Sequence, residues 1–162
     1  MPNFLIELGM LVQIISAVAS IIVALVMYLS VREIKIDRRR EYLEKRIEEF
    51  YIPLIKFFGQ GDLPRDIEAH QKVEEIILTK RYLCGRKLAK ILPQHFTAMI
   101  ISGSHYYFYF TSEEEKKKWE EIADIVWDEY IETLKKYYKL IGVIDYVLPK
   151  KPDKWFFDVY KH

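Results

Sequence analysis

One cysteine, Cys84, and one asparagine, Asn3, stand among the 162 residues. A lone thiol excludes an intramolecular disulfide framework and suits a reducing compartment. The near absence of net charge, +1 overall, removes any global pull towards nucleic acid or an acidic substrate, so electrostatic arguments rest on local clusters. The scarcity of asparagine, with 30% charged residues and abundant Ile and Lys, leans towards a thermophilic source, although an AT-rich genome produces the same Ile/Lys bias. Catalytic signatures are missing as well. In GQGDLPRD, Pro64 stands where a dinucleotide fingerprint needs its third glycine, and no Lys-Ser or Lys-Thr follows as in a P-loop. Ser102-Gly103-Ser104 lacks the context of a nucleophile elbow. A di-iron bundle needs Glu-x-x-His, but Ile67, Leu92 and Ser102 precede His70, His95 and His105 by three. Zinc, EF-hand and kinase patterns are also lacking.

The most telling absence is of charge in residues 8–31, LGMLVQIISAVASIIVALVMYLSV, where 24 residues include no Asp, Glu, Lys, Arg or His. As a helix the run is about 36 Å long, enough to cross a hydrocarbon core of about 30 Å with some tilt. Its thirteen Leu, Ile and Val residues, at roughly −0.3 to −0.6 kcal/mol each, favour insertion by about −4 to −8 kcal/mol before end effects. Gln13, Ser16, Ser20 and Ser30 subtract from this without reversing it. A cleaved signal peptide wants a basic n-region and a shorter apolar core. A buried helix apolar all round needs a larger protein to cover it. The run therefore reads as a transmembrane helix. Arg32, Lys35, Arg38, Arg39, Arg40, Lys45 and Arg46 follow it and no basic side chain precedes it, which sets the N-terminus outside and the remaining chain in the cytoplasm of a single-pass cell-membrane protein. Ser16, Ser20 and Ala24 recur every fourth residue, a small-residue face that admits a second helix or is ordinary membrane-helix composition.

The predicted organisation is an extracytoplasmic tail (1–7), the span (8–31), a juxtamembrane stalk helix (32–58) and a helical bundle with an aromatic C-terminal tail (59–162). The fold class is all-α, a transmembrane helix followed by a cytoplasmic bundle of about four helices. In the stalk, Ile36, Leu43, Ile47, Phe50 and Leu54 form one apolar stripe. That spacing could seed a coiled coil, but Arg40 falls on the seam and Pro53 interrupts it, so packing within one bundle is expected. After the turn at Gly59, Gly61 and Pro64, a helix over 65–84 carries Val73, Ile76, Ile77 and Leu83, with Gly85 as its stop. Residues 91–112, uncharged but broken by Pro93, Gln94, His95, Ser102, Gly103 and Ser104, make a poor second span, and HYYFYF at 105–110 reads as irregular. A long helix starts at a Ser112/Glu115 capping box, shows Trp119, Ile122, Ala123, Val126, Tyr130, Leu134, Tyr137 and Ile141 on one face, and ends at Gly142. In the tail, Trp155, Phe156, Phe157 and Tyr160 either dock on the bundle or meet a partner or the membrane interface.

Site candidates are few. Asp66, His70 and Glu74 share a helix face that could hold part of a metal site, against the plainer reading of a solvated polar face. Cys84 has no activating partner and reads as core. Between Glu75 and Glu113 no acidic residue occurs, while Lys80, Arg81, Arg86, Lys87 and Lys90 cluster beside Tyr82 and the later aromatics. With Arg38, Arg39 and Arg40, these are the candidate contacts for anionic lipid or a partner. A single-stranded nucleic-acid surface has the same ingredients, but a net charge near zero argues against it. No cofactor or metal is expected.

At Glu48-Glu49-Phe50-Tyr51-Ile52-Pro53-Leu54, joined to the upstream anchor and a downstream long helix, the chain resembles uncharacterised prokaryotic membrane-anchored helical proteins with a similar Glu/Tyr-Pro-Leu element. The resemblance implies no activity and no functional residues. The expected function is non-enzymatic: a membrane-anchored cytoplasmic interaction or scaffold protein. Its partners would be the lipid bilayer, an unidentified protein and a second copy through anchor and stalk. Two alternatives stand beside it, an oligomeric accessory or pore-forming subunit built on Gln13, Ser16 and Ser20, and an enzyme with an unrecognised site around His70 or His95.

Overall fold

The computed structural model describes residues 2–59, 67–92 and 113–155, with side chains for 9–59, 72–73, 75–92, 113–114 and 116–155. The fold is all-α, and no strand occurs among the described residues. Two compact units divide the chain, Met1–Arg39 and Arg40–His162.

The first unit is helical throughout its described residues and belongs to α1 (Pro2–Lys45). It contains a window of mean hydropathy 2.6 whose side chains are 0% buried, the one helix among the described residues long and apolar enough to cross a membrane. The Ser20 hydroxyl donates to the Ser16 carbonyl at 2.9 Å and the Ser30 hydroxyl to that of Val26 at 2.9 Å. Both are thereby satisfied within their own helix, as hydroxyls in an apolar helix must be. Ile36, expected on the buried stripe, is exposed.

In the second unit the helix continues through Pro53 by changing its pitch. The turn Arg46–Tyr51 is π-helical, and the N–H of Ile52 donates to the carbonyl of Ile47, five residues back. Pro53 has no N–H to give Glu49, and its ring would crowd that carbonyl, so widening the preceding turn relieves the conflict. α2 (Ile52–Gly59) follows. Leu43, Ile47, Phe50 and Leu54 of the predicted stripe are buried, and the π turn adds Tyr51, which like Phe50 is fully buried.

α3 (Ile67–Thr79) buries Val73 and Ile77. It ends before the predicted stop: Arg81–Leu83 form a 3-10 turn, Cys84 is extended, and residues 86–92 form α4. α5 (Glu113–Leu140) runs antiparallel to the segment from Glu44 to Phe58. Tyr137 meets Glu44, Tyr130 lies 6.4 Å from Tyr51 between ring centres, and Trp119 lies 6.3 Å from Phe58. Gly142 takes φ +75°, and the N–H of Val143 donates to the Tyr138 carbonyl at 3.0 Å, a Schellman stop that accounts for glycine there. Trp155 is buried against Phe58 and Trp127, with ring centres 6.4 Å from each, so the tail docks on the helices at this residue. The Ser112 cap, the aromatic run 105–110, the poor second span beyond residue 92, and Phe156, Phe157 and Tyr160 lie outside the described residues.

Candidate functional site

Glu129 is the buried carboxylate among the described residues of the second unit, 7% exposed. It lies three residues after Val126 and seven after Ile122, on the apolar face of α5, so helical periodicity carries it into the core. A carboxylate there must be hydrogen-bonded. Its Oε2 accepts the N–H of Gly85 at 2.9 Å and the hydroxyl of Tyr51 at 3.1 Å, and its Oε1 accepts the N–H groups of Lys87 at 3.1 Å and Leu88 at 3.3 Å. Glu129 thus caps the N-terminus of α4 from another helix, where orphan N–H groups and the helix dipole both favour negative charge.

Arg46 closes the other side of the network. Its Nε donates to the Leu83 carbonyl at 2.6 Å and its Nη2 to the Tyr51 hydroxyl at 2.5 Å. The guanidinium lies 5.4 Å from the centre of the Tyr51 ring and 5.8 Å from that of Tyr42. Burial pushes the Tyr51 phenol well above its ordinary range; the Arg46 charge pulls against this and the Glu129 charge adds to it. Tyr51 therefore stays neutral and donates to Glu129. Burial raises the Cys84 thiol, and the Glu129 carboxylate raises it further, so the half-buried sulfur stays protonated.

Gly85 was expected as a helix stop, but its φ is not positive. Space is what it supplies: a Cβ at Gly85 would collide with the Glu129 carboxylate. Beyond α3, Arg46 holds the Leu83 carbonyl and Glu129 the N–H of Gly85.

The basic residues named from the sequence fall in different places. Arg38 and Arg39 are exposed in the first unit. Arg40 is exposed in the second and pairs with Glu44 at 3.1 Å. Lys80 pairs with Glu49 of the π turn at 3.1 Å, and Arg81 donates to the Ala89 carbonyl at 3.1 Å. Arg86, Lys87 and Lys90 are exposed on α4, and Tyr82 is exposed on the adjoining turn. The structure therefore joins Arg81 to the α4 group, while Lys80 is engaged with an acid. The proposed face of Asp66, His70 and Glu74, and His95, lie outside the described side chains. Sequence reasoning passed over Glu129, Arg46 and Tyr51 as a unit. The legible signal was a glutamate on an apolar face.

A second, smaller constellation lies on the outer side of α5. Asp124 accepts from the Trp155 indole at 2.5 Å and from Lys151 at 2.7 Å, in a shallow cleft that Glu120, Pro152, Asp153 and Lys154 complete. Burial pushes the Asp124 carboxyl up, but the hydrogen bonds from Lys151 and Trp155 outweigh it and hold the group below its usual range.

The class defined here is an all-α domain with a capped internal helix, joined in sequence to one long apolar helix. The chain belongs to a family of uncharacterised proteins: a family model described as "Uncharacterized protein" matches residues 40–158. That match begins at the residue where the second compact unit begins. The chain is also similar to an "Uncharacterized protein" of Archaeoglobus fulgidus, with 37% identity over 141 residues, covering 86% of this chain and 70% of that one. No solved structure gives a significant match.

Proposed function

We propose that this is a single-pass membrane protein whose second unit serves at the cytoplasmic face as a non-enzymatic interaction module. The carrying observation is the apolar window of α1, with a mean hydropathy of 2.6 and 0% of it buried. Ile14, Ile21 and Met27 are each more than 60% exposed. Fully burying one such side chain is worth about 1.5–3 kcal/mol, so the row of them rivals the 5–15 kcal/mol stability of a whole domain. A lipid environment removes that cost, and a helix buried in its own core would not incur it.

The seven basic residues from Arg32 to Arg46 support an inward-facing second unit by the positive-inside rule. An interaction role draws support from the site's saturation. Glu129 has four donors, and Tyr51 and Cys84 are held neutral, an arrangement that fixes a fold rather than one poised for proton transfer or nucleophilic attack. The exposed Arg81, Arg86, Lys87 and Lys90 with Tyr82 are the surface offered to an anionic headgroup or an acidic protein.

The test is fractionation of the full chain carrying a C-terminal green fluorescent protein or alkaline phosphatase. Resistance to alkaline carbonate extraction, with a fluorescent and phosphatase-inactive fusion, is the expected result. Extraction by carbonate, or active phosphatase with a dark fluorescent fusion, overturns the reading.

A further inference from the structure

The two most exposed large apolar side chains among the described residues are not in α1. They are Ile144, 88% exposed, and Val147, 94% exposed, in the loop that leaves α5; Ile141 and Val143 beside them are partly exposed. Large apolar side chains left uncovered together in one loop are what an interaction surface presents.

The path of the loop is defined at both ends. Gly142 and the Schellman stop turn the chain off α5. Tyr146 stacks on Tyr138 at 4.5 Å between ring centres, so the chain has already turned back there, and Lys151 and Trp155 then reach Asp124. The tip of the excursion is therefore residues 141–145, with Val147 just behind it. Tyr137 donates to Glu44 at 2.6 Å. Because α5 is antiparallel to the Glu44–Phe58 segment, the tip lies at the end of the second unit where residues 40–44 enter it. Only eight residues lie between Val31 and Arg40, a tether of about 14 Å as helix and at most about 32 Å fully extended.

The composition of the loop suits an anionic interface. Lys135, Lys136, Lys139, Lys150 and Lys151 flank it against Asp145 alone within 135–151. Lys135, Lys139 and Lys150 make no ion pair among the described residues. Tyr138 and Tyr146 add the amphipathic rings found at headgroup depth. An apolar tip framed by lysines is attracted to an anionic leaflet by the charges and held by the inserted side chains.

We infer that the 141–147 loop inserts Ile144 and Val147 into the interfacial layer of an anionic bilayer. It thereby gives the second unit a membrane contact independent of the anchor and fixes its orientation at the surface. The inference rests on the membrane-anchor reading above.

The full chain, in a Cys84→Ser background, is labelled with an environment-sensitive fluorophore at Ile144→Cys, Val147→Cys or, as a control at the far end of α5, Glu114→Cys. It is placed in nanodiscs of phosphatidylcholine and phosphatidylglycerol at one copy per disc. The expected result is a blue-shifted probe at 144 and 147, quenched at least twofold more by shallow spin-labelled lipid than the probe at 114, with the difference shrinking in pure phosphatidylcholine. Probes at 144 and 147 as water-accessible as that at 114, in protein that resists carbonate, overturn this inference alone. Protein extracted by carbonate overturns the anchor reading and this inference with it. Shielding that needs two copies per disc and no lipid quenching assigns the loop to self-association and overturns the lipid contact. If the Cys84 replacement unfolds the domain, deuterium uptake at 141–148 of the unmodified chain decides: slower uptake in anionic than in zwitterionic nanodiscs supports the contact, and equal uptake overturns it.

Discussion

The carboxylate of Glu129 accepts the backbone N–H of Gly85 at 2.9 Å across 44 residues of chain, and it lies so close that a Cβ at Gly85 would have to displace it. This contact ties the start of α4 to α5. Glu129→Ala leaves the N–H groups of Gly85, Lys87 and Leu88 and the Tyr51 hydroxyl without their acceptor. A loss of about 3–5 kcal/mol is expected, read as a lower urea midpoint at unchanged m-value. Glu129→Gln keeps one acceptor oxygen and should lose less.

Gly85→Ala should cost more than about 2 kcal/mol by itself, because the added methyl must displace a buried carboxylate. In a Glu129→Ala background the obstacle is gone, and the same substitution should cost under about 1 kcal/mol. A double-mutant cycle measures the coupling, and additive costs would refute the steric account.

Tyr51→Phe removes the hydroxyl that receives Arg46 and donates to Glu129. An expected loss of about 1.5–3 kcal/mol follows from two hydrogen bonds to charged groups, each of which keeps its other partners. Arg46→Lys should cost a similar amount, since a single ammonium cannot reproduce the fork that holds both the Leu83 carbonyl and Tyr51. Thermal melts of the two variants and their combination should show less than additive loss.

Asp124 predicts an acid-sensitive tail. Its folded carboxyl titrates below the ordinary 3.8, so the ionised form favours the docked state. That contribution is complete above about pH 5 and is lost as the pH falls through the folded value. Tryptophan emission should report undocking of Trp155 below about pH 4. Asp124→Asn should flatten this part of the profile while changing neutral stability by less than about 1 kcal/mol, because the Lys151 pair is half exposed.

Val23→Arg places a charge at the middle of the apolar window, where it opposes insertion by about 2.5–3.5 kcal/mol. If the window is a membrane span, this variant should shift towards carbonate-extractable or degraded protein, and Val23→Leu should behave as the parent.

Some of this architecture could be read before any coordinates. The apolar window, the stripe Leu43, Ile47, Phe50 and Leu54, and the face of α5 from Trp119 to Leu134 depend on spacing along a single helix, which residue order states directly. Gly142 as the stop of α5 is legible for the same reason, being a local backbone requirement. The π turn before Pro53 was half legible: proline announces a conflict in the hydrogen-bond ladder, but whether the helix kinks or widens depends on what lies across from it. Here Tyr51 is fully buried and its hydroxyl reaches Glu129.

The network of Arg46, Tyr51, Gly85 and Glu129 was not legible, because each residue has an ordinary local explanation and only proximity gives the joint one. An arginine after an apolar run reads as a topology signal, a glycine after a helix as a stop, and a glutamate in a long helix as surface. Local periodicity was sufficient for the apolar faces of the described helices apart from Ile36, but not for where α3 ends, since a face follows from backbone geometry repeated every 3.6 residues and this end does not. Which helix end is capped, which glycine has a carboxylate against it and which apolar loop is left uncovered were decided by segments 37 to 93 residues apart meeting in space. In that setting burial makes an unpaired carboxylate too costly, and packing selects the donors that satisfy it.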